Sequence, residues 1–186
     1  MQELEIEVKI RVSPGTPGIK NIREKILANH FLVLHERTFE KNIVLDTPDE
    51  KLKNSKCVLR LREKEGKNTV TFKQPVEKSL SQTHTEYKIK QETEVDVSNF
   101  EKMEYIFKGL GYNVFFIYEK YREEFQKDDV NVMVDETPMG NFIEIEGTKE
   151  AIDRTACELG FAKSDYIIDS YLTLYRKAGG DGHMRF

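Results

Sequence analysis

The first strand-length segment of the chain alternates strictly between charged and apolar side chains. The charged positions are Glu3, Glu5, Glu7, Lys9 and Arg11, and the apolar ones are Leu4, Ile6, Val8, Ile10 and Val12. A β-strand puts successive side chains on opposite faces, so this segment predicts one wholly apolar face and one wholly charged face. The apolar face must be buried, whereas the charged face can meet water or line a polar cavity.

Several later segments repeat this alternation. Charged or hydroxyl side chains share one face at Lys56, Arg60, Arg62 and Lys64, at Thr69, Thr71 and Lys73, at Glu86, Lys88, Lys90, Glu92 and Glu94, at Lys120 and Arg122, and at Glu144 and Glu146. On a single strand, a charged face is usually the solvated outer face of an antiparallel sheet. Taken together, the apolar rows would supply the surface on which helices pack, and the charged rows would then face inward.

The whole pattern predicts an α+β fold with an eight-stranded antiparallel closed β-barrel and helices packed outside it. The predicted strands cover 2–13, 32–46, 55–65, 68–76, 83–97, 114–127, 130–136 and 141–147. Helices are predicted over 17–29, from an N-cap at Ser98 to Gly111, over 149–159 after Thr148, and from Ser164 to Tyr175. Residues 1–177 form a single predicted domain, and the Gly-rich residues 178–186 a flexible tail.

Composition narrows the class of protein. The net charge is −4, from 29 basic and 33 acidic residues without an acidic or basic tail, so we expect no nucleic-acid partner. No export signal or long apolar run is present, so we expect no membrane span and a cytoplasmic location. Cys57 and Cys157 fit small buried hydrophobes better than a disulfide or metal pair. A homodimer is the default expectation for a soluble enzyme.

An interior carrying both signs of charge predicts a particular ligand. Lys and Arg attract a polyanion, and paired carboxylates hold hard divalent cations through oxygen. Burying such charges without ligands costs several kcal/mol for each ion. The two signs together therefore predict one site for a metal–polyphosphate complex, although any single residue could instead form a salt bridge within the barrel.

At these residues the sequence resembles the CYTH family, also called triphosphate tunnel metalloenzymes. The family's N-terminal Glu-x-Glu-x-Lys run is matched by Glu5 to Lys9. The resemblance continues in order through Asp46-Thr47-Pro48, Leu59-Arg60-Leu61-Arg62, Thr71-Phe72-Lys73-Gln74-Pro75, Glu92-Thr93-Glu94, Lys120-Tyr121-Arg122, Val134-Asp135 and 140–146. The ending, with Ser170-Tyr171-Leu172, is most similar to the class IV adenylyl cyclase branch.

The resemblance implies a tunnel that binds a small-molecule triphosphate with Mg²⁺ or Mn²⁺. It implies metal carboxylates at Glu5, Glu7, Glu144 and Glu146, with Asp135, Glu92 and Glu94 as further candidates. It implies phosphate-binding cations at Lys9, Arg60, Arg62, Lys73, Lys90, Lys120 and Arg122. Among all of these, the expected catalytic residues are Glu5, Glu7, Lys9 and Lys73.

Three functions remain open at this point. The first is hydrolysis of inorganic triphosphate or a nucleoside triphosphate, and the second is conversion of ATP to cyclic AMP and pyrophosphate. The third is a non-catalytic module that binds triphosphate or polyphosphate, although anion binding alone would not require so many acids. A thiamine-specific activity is disfavoured, because some thiamine triphosphatases use a tyrosine on the strand before the Asp-Thr segment, and residues 38–45 contain none.

Overall fold

The computed structural model describes residues 3–12, 18–76 and 86–186. Residues 2 and 13 of the first predicted strand, residue 17 of the first predicted helix and residues 83–85 of a later predicted strand lie outside this part of the chain. The described elements are β1 (Glu3–Val12), α1 (Ile19–Ala28), β2 (Leu32–Asp46), α2 (Lys51–Asn54), β3 (Val58–Lys64), β4 (Lys67–Pro75), β5 (Lys88–Val97), α3 (Phe100–Gly109), β6 (Asn113–Lys127), β7 (Val130–Thr137), β8 (Gly140–Glu146), α4 (Lys149–Leu159), a 3₁₀ turn (Lys163–Asp165), β9 (Tyr166–Ile167) and α5 (Tyr171–Lys177).

Eight antiparallel strands close into a barrel. Their order is β5-β4-β3-β2-β6-β7-β8-β1, and β1 pairs back with β5 to close the ring. The short β9 pairs with Lys9 and Ile10 of β1. The predicted eight-stranded closed barrel with external helices is thus confirmed.

Strand β1 lies at the seam of the barrel and contacts two neighbours along its length. Its first half, Glu3–Glu7, pairs with β5, and its second half, from Glu7 to Val12, pairs with β8. Glu7 is therefore opposite Lys88 on one side and Glu146 on the other. This register brings charged residues from three strands together.

The apolar faces of the strands point outward and are covered by helices. Val8 and Ile10 of β1 are fully buried against a cluster that includes Ile22 and Ile26 of α1 and Ile152 of α4. A second cluster forms where Phe100 and Phe107 of α3 cover Ile43 and Leu61. Each fully buried side chain of this kind contributes about 1.5–3 kcal/mol. Because the cores lie outside the barrel wall, the charged faces are left to the interior.

Two helix starts differ from the sequence prediction. Helix α3 is capped by Asn99, not Ser98, because the Asn99 side chain accepts a hydrogen bond from the backbone N–H of Lys102 at 2.8 Å. The last helix begins after Ser170, not after Ser164, because the intervening residues form the 3₁₀ turn and then pair with β1 as β9. The predicted cap at Thr148 is present, and α4 ends at Gly160 with φ of 92°.

The segment predicted to be a flexible tail packs against the barrel. Met184 is fully buried, its N–H donates to the Ile117 carbonyl, and its carbonyl accepts from the Glu119 N–H, both at 2.9 Å. Burial of the Met184 side chain in the cluster of Phe116, Tyr118 and Tyr171 explains this docking. The domain division at 177 and the mobility of the tail stay predictions.

The cysteines are free, but neither is buried as predicted. Cys57 is half-buried, and Cys157 is exposed because the buried face of α4 is formed by Ala151, Ile152, Thr155, Ala156 and Leu159. Among the described residues, no helix is long and apolar enough to cross a membrane.

Candidate active site

A cavity of about 320 Å³ is enclosed by the barrel strands, and residues of β1 to β8 and of α5 line it. Among the described residues, its wall carries seven carboxylates, Glu5, Glu7, Glu92, Glu94, Glu124, Glu144 and Glu146. It also carries seven cations, Lys9, Arg60, Arg62, Lys73, Lys88, Lys120 and Arg122. The wall of this tunnel is therefore balanced in formal charge.

The structure brings most of the predicted site residues to this wall. Those that line it are Glu5, Glu7, Lys9, Arg60, Arg62, Lys73, Glu92, Glu94, Lys120, Arg122, Glu144 and Glu146. Lys90 does not line it, and its ammonium group donates to the carbonyl of Lys56 at 2.8 Å. Asp135 does not line it either: it is on the same face of β7 as the lining residues Asn131 and Met133, but its side chain is fully buried against Tyr171.

Three carboxylates, Glu5, Glu7 and Glu146, form an acidic cluster at the β1 seam. Each contributes an oxygen, and these oxygens lie within 4.8 Å of one another. Burial, then the neighbouring Glu7 and Glu5, raises the pKa of Glu146 to about 8. Burial and the nearby Glu7 also raise the pKa of Glu5. Such oxygen-only, like-charged clusters fit a hard divalent cation.

Glu7 differs from its two neighbours because its pKa is lowered, not raised. Burial, the largest influence, would raise the pKa of Glu7, but Lys88, Lys9 and Lys73 together lower it to about 2. Contact with Glu7 raises the pKa of Lys88 above its usual value, although burial opposes it. Lys88 was not among the predicted phosphate ligands, although it shares the charged face of Lys90 and Glu92 in the sequence.

Lysines also bridge the other acids of the wall. Lys73 contacts Glu5 at 2.5 Å and Glu92 at 2.9 Å. Lys9 contacts Glu144 at 2.8 Å. Both lysines line the tunnel together with these carboxylates, so an anion in the tunnel can contact them.

Asp135 is the central acceptor of a buried hydrogen-bonded network. It accepts two bonds from Arg122 at 2.6 Å, one from Lys120 at 3.0 Å and one from the hydroxyl of Tyr171 at 2.5 Å. Arg122 also donates to Glu144. Burial and the charge of Asp135 raise the pKa of Tyr171 well above its usual value. This network connects α5 to Arg122 and Lys120 of the tunnel wall. Both carboxylate oxygens of Asp135 already accept hydrogen bonds within it.

A second buried acid, Glu40 on β2, was not among the predicted site residues. Its carboxylate is fully buried and lies 3.6 Å from Lys120, 3.7 Å from Arg62 and 3.8 Å from Lys64. The alternation of Thr38, Glu40 and Asn42 is present in the sequence, but Lys41 interrupts the apolar row between them.

Part of the tunnel wall is apolar. Val44, Val58, Phe116 and Leu172 line it. Phe116 belongs to the apolar cluster of Tyr171, Leu174 and Met184, so α5 and the C-terminal residues pack against this part of the barrel. The tunnel therefore offers apolar contacts as well as charged ones.

A closed antiparallel barrel with charges of both signs inside defines a class of tunnel-shaped proteins. The CYTH domain profile matches residues 3–158. The chain belongs to the CYTH domain family, which confirms the resemblance seen in its motifs.

Individual relatives agree with this assignment. A protein of Methanocaldococcus jannaschii, provisionally named an adenylate cyclase, is 26% identical over 182 residues, which cover 92% of this chain and 98% of the relative. The solved structure of a provisionally named adenylate cyclase from Vibrio parahaemolyticus has a TM-score of 0.81 at 18% identity, covering 95% of this chain and 99% of that one. A Hippeastrum protein described as an adenylyl cyclase candidate with dominant triphosphatase activity has a TM-score of 0.62 at 17% identity, covering 97% of each chain.

Proposed function

We propose that this protein is a divalent-metal-dependent triphosphatase that hydrolyses a small triphosphate inside its tunnel. The observation that carries the proposal is the acidic cluster of Glu5, Glu7 and Glu146, which lies directly beside the lysines of the tunnel wall. A metal–triphosphate complex has the matching distribution of charge, because its cation prefers carboxylates and its phosphates prefer Lys and Arg.

The acidic cluster fits Mg²⁺ or Mn²⁺ on its own chemistry. All its donors are carboxylate oxygens, and Glu5 Oε2 is buried with no hydrogen-bond partner among the described residues. A bound cation would remove the repulsion that raises the pKa of Glu146. Glu5, Glu7 and Glu146 would hold the cation, with Glu144, Glu92 and Glu94 nearby, and it would supply positive charge that activates water and the phosphoryl group.

The remaining work falls to the cations of the wall. Arg60, Arg62 and Arg122 can grip phosphate oxygens in a bidentate manner, whereas Lys9 and Lys73 act as point charges. Fixed positive charges of this kind stabilise the negative charge that develops on a leaving diphosphate. Asp135 does not touch the tunnel, so we assign it a positioning role through Arg122 and Lys120, not the role of a metal ligand.

Formation of a cyclic nucleotide is the second candidate function. The apolar wall residues Val44, Val58, Phe116 and Leu172 offer contact to a nucleoside, which inorganic triphosphate would not need. In this reaction, the ribose 3′-oxygen of ATP attacks the α-phosphorus and pyrophosphate leaves. The names of the Methanocaldococcus and Vibrio proteins also favour it.

Release of orthophosphate from inorganic triphosphate, measured with and without Mg²⁺ or Mn²⁺, tests the proposal. We expect turnover that requires the cation and falls about 100-fold in Glu7→Gln or Glu146→Gln, a loss of about 3 kcal/mol of transition-state stabilisation. Glu36→Gln is the matched control, because the Glu36 side chain is 77% exposed and outside the tunnel. Turnover that persists in chelator, or that both tunnel variants retain, would overturn the proposal.

A further inference from the structure

Glu40 is a buried anion that the proposed reaction does not use. Its side chain has no exposed surface and is not part of the tunnel wall, so substrate cannot touch it in this conformation. Three cations surround it at nearly equal distances of 3.6–3.8 Å, namely Lys120 and Arg62 of the tunnel wall and Lys64. Neither of its oxygens accepts a hydrogen bond from any described residue.

Each of the three cations makes its hydrogen bond elsewhere. Lys120 donates to Asp135 at 3.0 Å, Arg62 donates to Asn42 at 2.9 Å, and Lys64 donates to Glu124 at 2.6 Å. Glu40 is therefore not what orients these groups. What it gives them is negative charge at close range in a site shielded from water.

The charge on Glu40 is retained at neutral pH. Burial would raise its pKa, but Lys120, Arg62, Arg122 and Lys64 together hold it well below the usual range for a carboxyl. A buried charge without hydrogen bonds is a costly arrangement. Its nearest partners are cations that a polyphosphate would also contact, two of them on the tunnel wall.

We propose that Glu40 is a built-in competitor of the bound polyphosphate. This role of Glu40 rests on the proposed function, because it requires that the tunnel binds a phosphate chain. Glu40 lowers the positive potential that the chain meets and so weakens binding of substrate and product alike. The benefit is release, since without this counter-charge Arg62 and Lys120 would hold a pyrophosphate or phosphate product more strongly.

The test is calorimetric titration of inorganic pyrophosphate, in the presence of Mg²⁺, into the full-length protein and its Glu40→Gln variant. We expect Glu40→Gln to bind pyrophosphate at least about tenfold more tightly, and to lower kcat and KM for inorganic triphosphate together. A role limited to holding the cations in place predicts the opposite sign, because misplaced cations would bind more weakly. Unchanged or weaker binding in Glu40→Gln overturns the proposal.

A second variant keeps the test decisive if Glu40→Gln does not fold. Glu40→Asp keeps the charge but draws it back by one methylene, so its affinity for pyrophosphate should exceed that of the wild type by a smaller factor. Equal or weaker affinity in Glu40→Asp also overturns the proposal. Glu36→Gln, on the same strand, should match the wild type. If the wild type binds neither pyrophosphate nor inorganic triphosphate, the proposed function itself fails and this inference fails with it.

Discussion

Asp135 and Glu40 are both fully buried acids that contact Lys120 of the tunnel wall but do not line the tunnel themselves. Asp135 accepts four hydrogen bonds, from Arg122, Lys120 and Tyr171, whereas Glu40 accepts none from the described residues. Hydrogen bonds depend on direction and so orient the groups that make them, whereas Coulomb attraction at 3.6–3.8 Å has no preferred direction. Asp135 therefore orients Arg122 and Lys120, whereas Glu40 only offsets positive charge.

Removing the charge of Asp135 should have the largest effect on stability. Asp135→Asn removes the negative charge to which the buried Arg122 and Lys120 donate their hydrogen bonds. We therefore expect a loss of about 3–5 kcal/mol in the free energy of unfolding. Urea denaturation would measure it. Glu136→Gln is the neighbouring control, because Glu136 forms an exposed pair with Arg37 and should cost less than about 1 kcal/mol. Similar losses in both variants would contradict the structural role of Asp135.

The acidic cluster should give an effect of similar size, as a dependence of stability on pH. The pKa of Glu146 is about 8 in the folded protein, above its ordinary value of 4.5. Its stabilising contribution is therefore complete below about pH 4.5 and is lost as pH rises through about 8, a change of about 5 kcal/mol.

Thermal melting in chelator, from pH 5 to pH 9, would show this decline. Glu146→Gln should flatten the curve over that range, and Mn²⁺ should restore stability to the wild type at high pH, because the cation replaces the lost proton. Stability that rises from pH 5 to pH 8 in the metal-free wild type would contradict this assignment.

Glu40→Gln should lower the free energy of unfolding by about 1–2 kcal/mol, because no hydrogen bond is broken. This loss is smaller than the one expected for Asp135→Asn. The cations around Glu40 keep their bonds to Asp135, Asn42 and Glu124. The same denaturation experiment measures it, and added pyrophosphate should stabilise this variant more than the wild type. A loss equal to that of Asp135→Asn would erase the distinction between the two acids.

The smallest change removes a single bond from the Asp135 network. Tyr171→Phe deletes only the hydroxyl that donates to Asp135, so we expect a loss of about 1–2 kcal/mol in unfolding free energy. Tyr175→Phe is its control on the same helix, because its longer bonds of 3.2 Å are exposed to solvent. If Tyr171→Phe and Tyr175→Phe cost the same, the hydroxyl of Tyr171 does not hold α5 to the barrel.

Strand alternation predicted the barrel and most of its wall because a period of two fixes the face of every side chain. It does not fix depth or the direction of a long side chain. Asp135 has the expected face but is covered by Tyr171, and Lys90 turns to the carbonyl of Lys56. Glu40 was missed because Lys41, on the outer face, breaks the apolar row that marked the other strands.

Phosphorus NMR of the purified protein with Mn²⁺ or Mg²⁺, with inorganic triphosphate and ATP in separate samples, tests whether the tunnel hydrolyses a triphosphate. We expect orthophosphate and a diphosphate product, both of which are lost on chelation and in Glu7→Gln. Pyrophosphate with a cyclic nucleotide from ATP would instead establish the cyclase reaction. Unchanged spectra of both substrates would contradict a catalytic tunnel.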